Sequence, residues 1–159
     1  MHLLRIEVEN FKSFGGEITI PFDEGFTAIT GPNGSGKSNS GDAIQFVLGT
    51  RSTKVMRADN VGDLIFNGGK RGKPARHMSV TLVFANNPEL GGRRRLRIDE
   101  DEASFTRSVR LSRKNQPISS YKIGERSVTA TEMRRTLAEA GLHGDGYNIV
   151  LQGDVTNLA

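Results

Sequence analysis

The chain contains no cysteine in its 159 residues. Disulfide bonds and thiolate metal sites are therefore excluded, and nothing in the sequence indicates an oxidising compartment. Long apolar runs are also missing, since no segment approaches the roughly 18 apolar residues of a membrane span. Glu7 interrupts the region in which a signal peptide would carry its apolar core. We therefore expect a cytoplasmic protein with no membrane partner.

Apolar residues are scarce, at 35% of the chain. A length of 159 residues fits one compact domain, but this composition allows only a modest core that a partner could complete. The net charge is +4 and the pI is about 9.7. Such a mildly basic balance is compatible with a polyanionic partner but does not establish one.

The hydrophobic pattern predicts a protein rich in β-strands. Alternation of apolar and polar residues is typical of strands with one wet face, and the turn between the first two strands is predicted at 10–16. The run at 26–30 has little polarity on either face, which indicates a central strand. Alternating strands are predicted at 4–9, 18–22, 78–84, 105–111 and 118–123, with a short one at 96–98.

Helical spacing appears in two places. One helix is predicted to follow Lys37 and to end at Gly49, a plausible C-terminal cap. The other is predicted to start at Thr129, because Thr129 and Glu132 have the spacing of a capping box, and to end at Gly141. Residues 50–76 are predicted to form loops around a short buried piece.

A glycine-rich segment joins the predicted central strand to the first helix. Its glycines let successive backbone N–H groups turn inward around phosphate oxygens, and the helix N-terminus adds a favourable field for anions. Lys37 is predicted to reach the β- and γ-phosphates, and the Ser38 hydroxyl to ligate magnesium. The segment matches the phosphate-loop pattern in full: Gly31, Pro32, Asn33, Gly34, Ser35, Gly36, Lys37 and Ser38.

The catalytic acid of a phosphate-loop ATPase is missing from the chain. Such an enzyme needs a carboxylate after a buried strand to hold magnesium and polarise water. Asp99 follows a run rich in arginine, which is a poor buried strand, and the apolar run 149–151 ends in Gln152. The Gln152 side chain offers an oxygen to magnesium or its water but is not a strong base. The sequence therefore predicts an ATP and Mg²⁺ site that is only half complete.

Several motifs beyond the phosphate loop give the chain a family resemblance. They cover nearly the whole chain in order, and the sequence resembles the N-terminal head segment of SMC ATPases, members of the ABC-type superfamily, in an archaeal or bacterial form. The motifs are Asn10-Phe11-Lys12-Ser13-Phe14, the loop extended by Asn39, Gly41-Asp42-Ala43-Ile44, Phe46-Val47-Leu48-Gly49, Met56-Arg57-Ala58, Asp63-Leu64-Ile65-Phe66 and 145–154.

The resemblance implies an α/β fold, in which a largely antiparallel sheet surrounds a phosphate-loop strand–helix unit. It implies that residues 1–159 are the N-terminal lobe of a composite head, whose coiled coil, hinge and C-terminal lobe lie on other sequence. The implied partners are that C-terminal lobe, a second head, a kleisin subunit and DNA. The implied role is ATP-driven chromosome condensation and segregation by a nucleoid-associated protein.

The resemblance also assigns roles to single residues. Lys37 and Gln152 are implied in catalysis, Ser38 and Gln152 in binding magnesium, and Arg57 in coupling DNA to ATP turnover. Lys12, Ser13 and Asn39 are implied beside the nucleotide, with Asp63, Leu64 and Ile65 toward the adenine. Ser40 departs from the pattern, because an apolar residue is expected one turn before Ile44 on the packed stripe.

Three basic clusters, at 70–76, 93–97 and 107–114, fit either solvated loops or DNA contacts. No aromatic residues interleave them, which favours phosphate contacts over base stacking. The acidic run at 99–102 is expected to be a solvated turn. The alternative functions are a related coiled-coil DNA-repair ATPase, a self-contained phosphate-loop kinase or GTPase, and a nucleic-acid-binding module with a vestigial nucleotide site.

Overall fold

The computed structural model describes residues 2–22, 37–49, 60–70 and 72–142, with the backbone alone at 37–40. Its main element is a six-stranded antiparallel sheet. The strands are β1 (Leu3–Phe11), β2 (Phe14–Pro21), β3 (His77–Ala85), β4 (Glu102–Leu111), β5 (Pro117–Ile123) and β6 (Arg126–Val128). Their order across the sheet is β2-β1-β3-β4-β5-β6. The predicted antiparallel fold is confirmed, and the predicted strand at 26–30 lies outside the described residues.

Two α-helices and one 3-10 helix pack with the sheet. Helix α1 spans Lys37–Leu48 and lies against β1, β3 and β4, whereas α2 spans Ala130–Glu139 and lies against β5. The 3-10 helix is Val61–Leu64. Residues 41–48 of α1 are all buried, which makes α1 a central helix. It ends at Gly49, whose φ of +86° is the left-handed conformation that glycine adopts most readily, as predicted.

Alternation gives the sheet two different faces. The core face carries the buried apolar side chains, including Ile6, Val80 and Phe105, and is covered by α1 and α2. The open face carries charged and hydroxyl side chains such as Arg5 and Thr106. The side chains that alternation predicted to be apolar lie on the core face, so the strands predicted from alternation are confirmed. A shift of one residue would exchange the two faces.

The strand predicted at 96–98 is wrong. This segment is a loop wrapped around the Asn86 side chain, which is buried. Asn86 Oδ1 accepts from the Leu96 N–H at 3.1 Å, and its Nδ2 donates to the Ile98 and Glu100 carbonyls at 2.9 and 3.1 Å. One amide side chain therefore satisfies the backbone groups that a neighbouring strand would otherwise bond.

Two boundaries also differ from the prediction. The turn placed at 10–16 is shorter, because β1 runs to Phe11 and β2 starts at Phe14. Asn10 and Lys12 each have a φ of 51°, and these left-handed residues let the chain reverse within a few positions. Strand β6 was not predicted, since three residues are too few for alternation to be visible.

The predicted N-cap of α2 is confirmed, but the capping box is only half formed, because the Glu132 carboxylate bonds Arg126. Thr129 Oγ1 accepts from the Glu132 N–H at 3.1 Å, while the Glu132 carboxylate accepts from Arg126 at 2.8 Å. Met133 and Leu137 bury the apolar stripe of the helix. In the part of the chain that the structure describes, no helix is long and apolar enough to cross a membrane.

Candidate nucleotide site and basic surface

The described part of helix α1 begins with Lys37, which directly follows the glycines of the phosphate-loop pattern. The predicted residues Gly31 to Gly36, Arg57 and Gln152 lie outside the described residues. The side chains of Lys37, Ser38, Asn39 and Ser40 do as well. The helix that must follow the loop is therefore present, and the assignments of these side chains remain predictions.

Five other predicted residues belong to two segments that pair with each other. The turn 10–13 pairs with the segment 63–66: the Lys12 N–H donates to the Leu64 carbonyl at 2.6 Å, and the Phe66 N–H donates to the Asn10 carbonyl at 2.8 Å. Phe11 and Ile65 also form an isolated antiparallel bridge. The structure thus brings Lys12 beside Leu64 and Ile65, about fifty residues away in sequence, and Ser13 and Asp63 are their neighbours along the chain. We call this arrangement the junction.

An ion pair connects the junction to α1. The Lys12 ammonium lies 2.5 Å from Asp42 Oδ2, and the side chains are only 17% and 10% exposed. Asp42 belongs to α1, so the residue predicted beside the nucleotide is tied to the helix that follows the phosphate loop. Asp42 was not singled out from the sequence, where the available signal was a carboxylate inside an otherwise apolar stretch of helix.

The three residues predicted near the adenine differ in exposure. Leu64 and Ile65 are buried in the core, whereas Asp63 is exposed. The Asp63 carboxylate accepts from the Asn60 N–H at 3.0 Å, and Asn60 Oδ1 accepts from the Gly62 N–H at 2.8 Å. These reciprocal bonds form a capping box that fixes the start of the 3-10 helix.

Two of the basic clusters form one surface. Arg76 joins them, since its guanidinium donates to Asn115 Oδ1 at 3.0 Å and to the Ser112 carbonyl at 2.7 Å. Its own carbonyl accepts from the Leu111 N–H at 2.8 Å. We call the resulting exposed surface the basic end, and it consists of Arg76, Arg110, Arg113 and Lys114. Arg107, predicted in the same cluster, instead lies on the core face of β4.

The third basic cluster lies at the opposite end of the sheet and is partly neutralised. Within the cluster, Arg94 contacts Asp101 at 2.6 Å and Asp99 at 3.6 Å. Outside the cluster, Arg5 in β1 makes a bidentate pair with Glu102 at 3.1 and 3.2 Å. The hydrogen bonds from Arg5 lower the pKa of Glu102. Residues 99–101 of the acidic run are therefore a solvated turn, as predicted, whereas Glu102 is the first residue of β4.

The fold and these motifs define a class of protein. The chain belongs to the RecF/RecN/SMC N-terminal domain family, which it matches over residues 2–145. The Chromosome partition protein Smc of Pyrococcus furiosus is 47% identical over 158 residues, and that of Gloeobacter violaceus is 41% identical. The alignments cover 99% of this chain but only 13% and 12% of these relatives, so the chain spans about an eighth of their length.

Solved structures agree with this assignment. The chain resembles, at 45% identity and a TM-score of 0.85, a structure described as "Structural biochemistry of ATP-driven dimerization and DNA stimulated activation of SMC ATPases", covering 99% of this chain and 90% of that one. It also resembles the SmcHead bound to the C-winged helix domain of ScpA, at 44% identity and a TM-score of 0.86, covering 99% and 46%. The fold is that of the N-terminal lobe of an SMC head, and the chain covers only part of that head.

Proposed function

We propose that residues 1–159 form the nucleotide-binding N-terminal lobe of an SMC-type ATPase head that binds ATP with Mg²⁺. The observation that carries the proposal is the complete phosphate-loop pattern at 31–38, whose Lys37 and Ser38 lie in α1, a helix that is buried against the sheet at residues 41–48. A helix N-terminus supplies free N–H groups and a positive field, which suit a triphosphate. The junction adds a second cation, Lys12, tied to the same helix.

Each proposed residue has a separate role in binding the phosphates or the magnesium ion. Lys37 would contact the β- and γ-phosphates, Ser38 would ligate Mg²⁺, and Gln152 would bind the metal or its water. Bound Mg²⁺ would neutralise charge on the phosphate oxygens. Arg57 would couple DNA to ATP turnover, and Lys12, Ser13, Asn39 and residues 63–65 would surround the nucleotide.

The site needs a second chain segment to become an enzyme. No residue of this sequence was identified as the catalytic acid, so we propose that a C-terminal lobe supplies it and that two heads together enclose ATP. Similar solved structures support the proposal that further protein segments complete the site. One concerns ATP-driven dimerisation of SMC ATPases, and another is a head bound to the C-winged helix domain of ScpA. A second head and a kleisin-type subunit are accordingly proposed partners, in a role in chromosome segregation.

We further propose that the basic end contacts DNA phosphates. Its four cations are all exposed, and phosphate contacts are independent of sequence and strongly dependent on salt. Arg113→Glu combined with Lys114→Glu should weaken DNA binding and flatten its salt dependence. DNA binding that is unaffected by salt and by these substitutions would remove the basic end from the interface.

Binding of ATP is tested most simply in the complete head, meaning this lobe together with its C-terminal lobe. Titration with a fluorescent ATP analogue should show magnesium-dependent binding. Lys37→Ala should abolish it, and Ser38→Ala should reduce the magnesium dependence. Equal binding by wild type and Lys37→Ala would refute the site. The related DNA-repair ATPases and the self-contained kinases or GTPases are not favoured, given the match to Smc proteins along the whole chain.

A further inference from the structure

One arginine lies on the core face of the sheet. Arg107 in β4 stands opposite Val80 in β3 and Tyr121 in β5, on the same face as Phe105 and Val109. Its guanidinium carbon lies 4.3 Å from the centre of the Phe46 ring and 5.4 Å from that of Tyr121. A ring from α1 and a ring from β5 therefore both contact the cation.

Arg107 also bonds the C-terminal end of α1. Its Nη1 donates to the Phe46 carbonyl at 3.1 Å, and Phe46 lies in the last turn of the helix. Carbonyls in a last helical turn have no partner within the helix, and a cation there interacts favourably with the helix dipole. Nε of Arg107 is buried without a hydrogen-bond partner among the described residues, so Nη1 and the two rings hold the group.

A second arginine approaches the same end of α1. The aliphatic part of Arg134 in α2 lies so close to Gly49 that an added Cβ there would be only 3.1 Å from it. Burial lowers the pKa of Arg107, the nearby Tyr121 raises it, and the charge of Arg134 lowers it. The hydrogen bond to α1 and the two aromatic rings offset part of the cost of burying this cation.

Because this contact lies at the C-terminal end of α1, it can affect the orientation of the N-terminal end, which carries the phosphate loop. The ion pair Lys12–Asp42 attaches the middle of the helix to the junction, and Arg107 attaches its end to β4. With a rise of 1.5 Å per residue, Phe46 lies about 6 Å from Asp42 along the axis and Lys37 about 7.5 Å on the other side. If the C-terminal end of α1 lost its contact with Arg107, the helix could rotate about Asp42. Because Lys37 and Phe46 lie at similar distances from Asp42, a shift at Phe46 would produce a shift of similar size at Lys37.

We propose that Arg107 is a positioning residue for the nucleotide site, which orients α1 from its C-terminal end and thereby places the phosphate loop at its N-terminal end. The proposal rests on the proposed function for its effect on ATP. It assigns to one arginine of a predicted basic cluster a role that is separate from DNA binding.

The test compares a cation on the core face of the sheet with one on its open face, both in the complete head. Arg107→Met removes the charge and the hydrogen bond but keeps the side-chain length. We expect the Kd for ATP with Mg²⁺ to rise about three- to tenfold, which corresponds to a coupling of about 0.7–1.4 kcal/mol. Arg107→Lys, which retains a charged donor, should recover part of the affinity. Lys122→Met removes an exposed cation from the open face of the neighbouring strand β5, and it should leave the Kd for ATP unchanged.

Amide hydrogen exchange supplies a readout that a purely local contact would not change. Without nucleotide, Arg107→Met should increase exchange at residues 31–40, not only in the last turn of α1. An unchanged Kd for ATP together with increased exchange confined to 45–49 would overturn the proposal. If Arg107→Met fails to fold, Arg107→Gln replaces it with the same expected direction. If the wild-type head binds no ATP, the proposed function fails, and the exchange at 31–40 still decides the positioning role.

Discussion

The two faces of the sheet each carry an arginine, in opposite surroundings. Arg5 on the open face makes a bidentate pair with Glu102, and both side chains remain solvated, at 33% and 54% exposure. Arg107 on the core face makes a single hydrogen bond to α1 and lies against two aromatic rings. Water and salt screen the first pair, so it adds little to stability. The second contact is partly buried and is therefore screened less, so it can fix the position of a helix.

The same contrast applies to uncharged side chains. On the core face, Phe105 is fully buried and meets the Phe84 ring edge-on, with ring centres 6.0 Å apart. On the open face, the next residue, Thr106, shares a hydroxyl hydrogen bond of 2.7 Å with Thr81. The core face thus depends on packing, and the open face on weaker polar contacts.

The largest expected effect on the free energy of unfolding comes from truncating a large buried side chain on the core face. Phe105→Ala should lower the free energy of unfolding by about 3–5 kcal/mol, because it removes buried apolar area and leaves a cavity. Thr106→Ala, its neighbour on the open face, should cost only about 0.5–1.5 kcal/mol. Urea denaturation of the complete head measures both. Equal losses would mean that the open face is covered as tightly as the core face.

An intermediate effect is expected at the ion pair of the junction. Asp42→Ala should lower the free energy of unfolding by about 1.5–3 kcal/mol, since it removes a charged hydrogen bond and leaves Lys12 partly buried without this partner. Combining Asp42→Ala with Lys12→Met should cost less than the sum of the single changes. Strict additivity in this double-mutant cycle would show that the two side chains do not interact.

The smallest effect is expected at Glu102. Its pKa is lowered by Arg5, so the pair stabilises the fold above the pKa of the unfolded glutamate, and this contribution is lost as the pH falls through the folded pKa. Glu102→Gln should therefore unfold slightly more easily than wild type at neutral pH and equally easily in acid. A difference that grows toward low pH in urea midpoints would contradict this sign.

Sequence patterns predicted the sheet well because alternation is a local property. Strands β1, β3 and β4 and the cap at Gly49 all follow from residues within one element. The loop at 96–98 could not be predicted in this way, because the partner of its backbone is the side chain of Asn86. Pairing of Lys12 with Asp42 likewise depends on how a turn and a helix meet in space.

Arg107 shows a signal that was available but misread. It belongs to a basic run, which favours a solvated surface, but it also lies two residues from Phe105 and from Val109, both of which face the core. Alternation alone places it on the core face. The nucleotide site differs from the sheet in this respect. The phosphate-loop motif predicts which residues bind phosphate and magnesium, whereas the positions of the side chains at 31–40 stay a prediction.

The central claim is that this chain holds one half of an ATPase site. Steady-state ATP turnover, measured for the 159-residue chain alone and after mixing with its C-terminal lobe, tests it most directly. We expect negligible turnover by the chain alone, and turnover on mixing that Lys37→Ala abolishes. Robust turnover by the chain alone, lost in Lys37→Ala, would show that the acid lies within this sequence and would contradict the account.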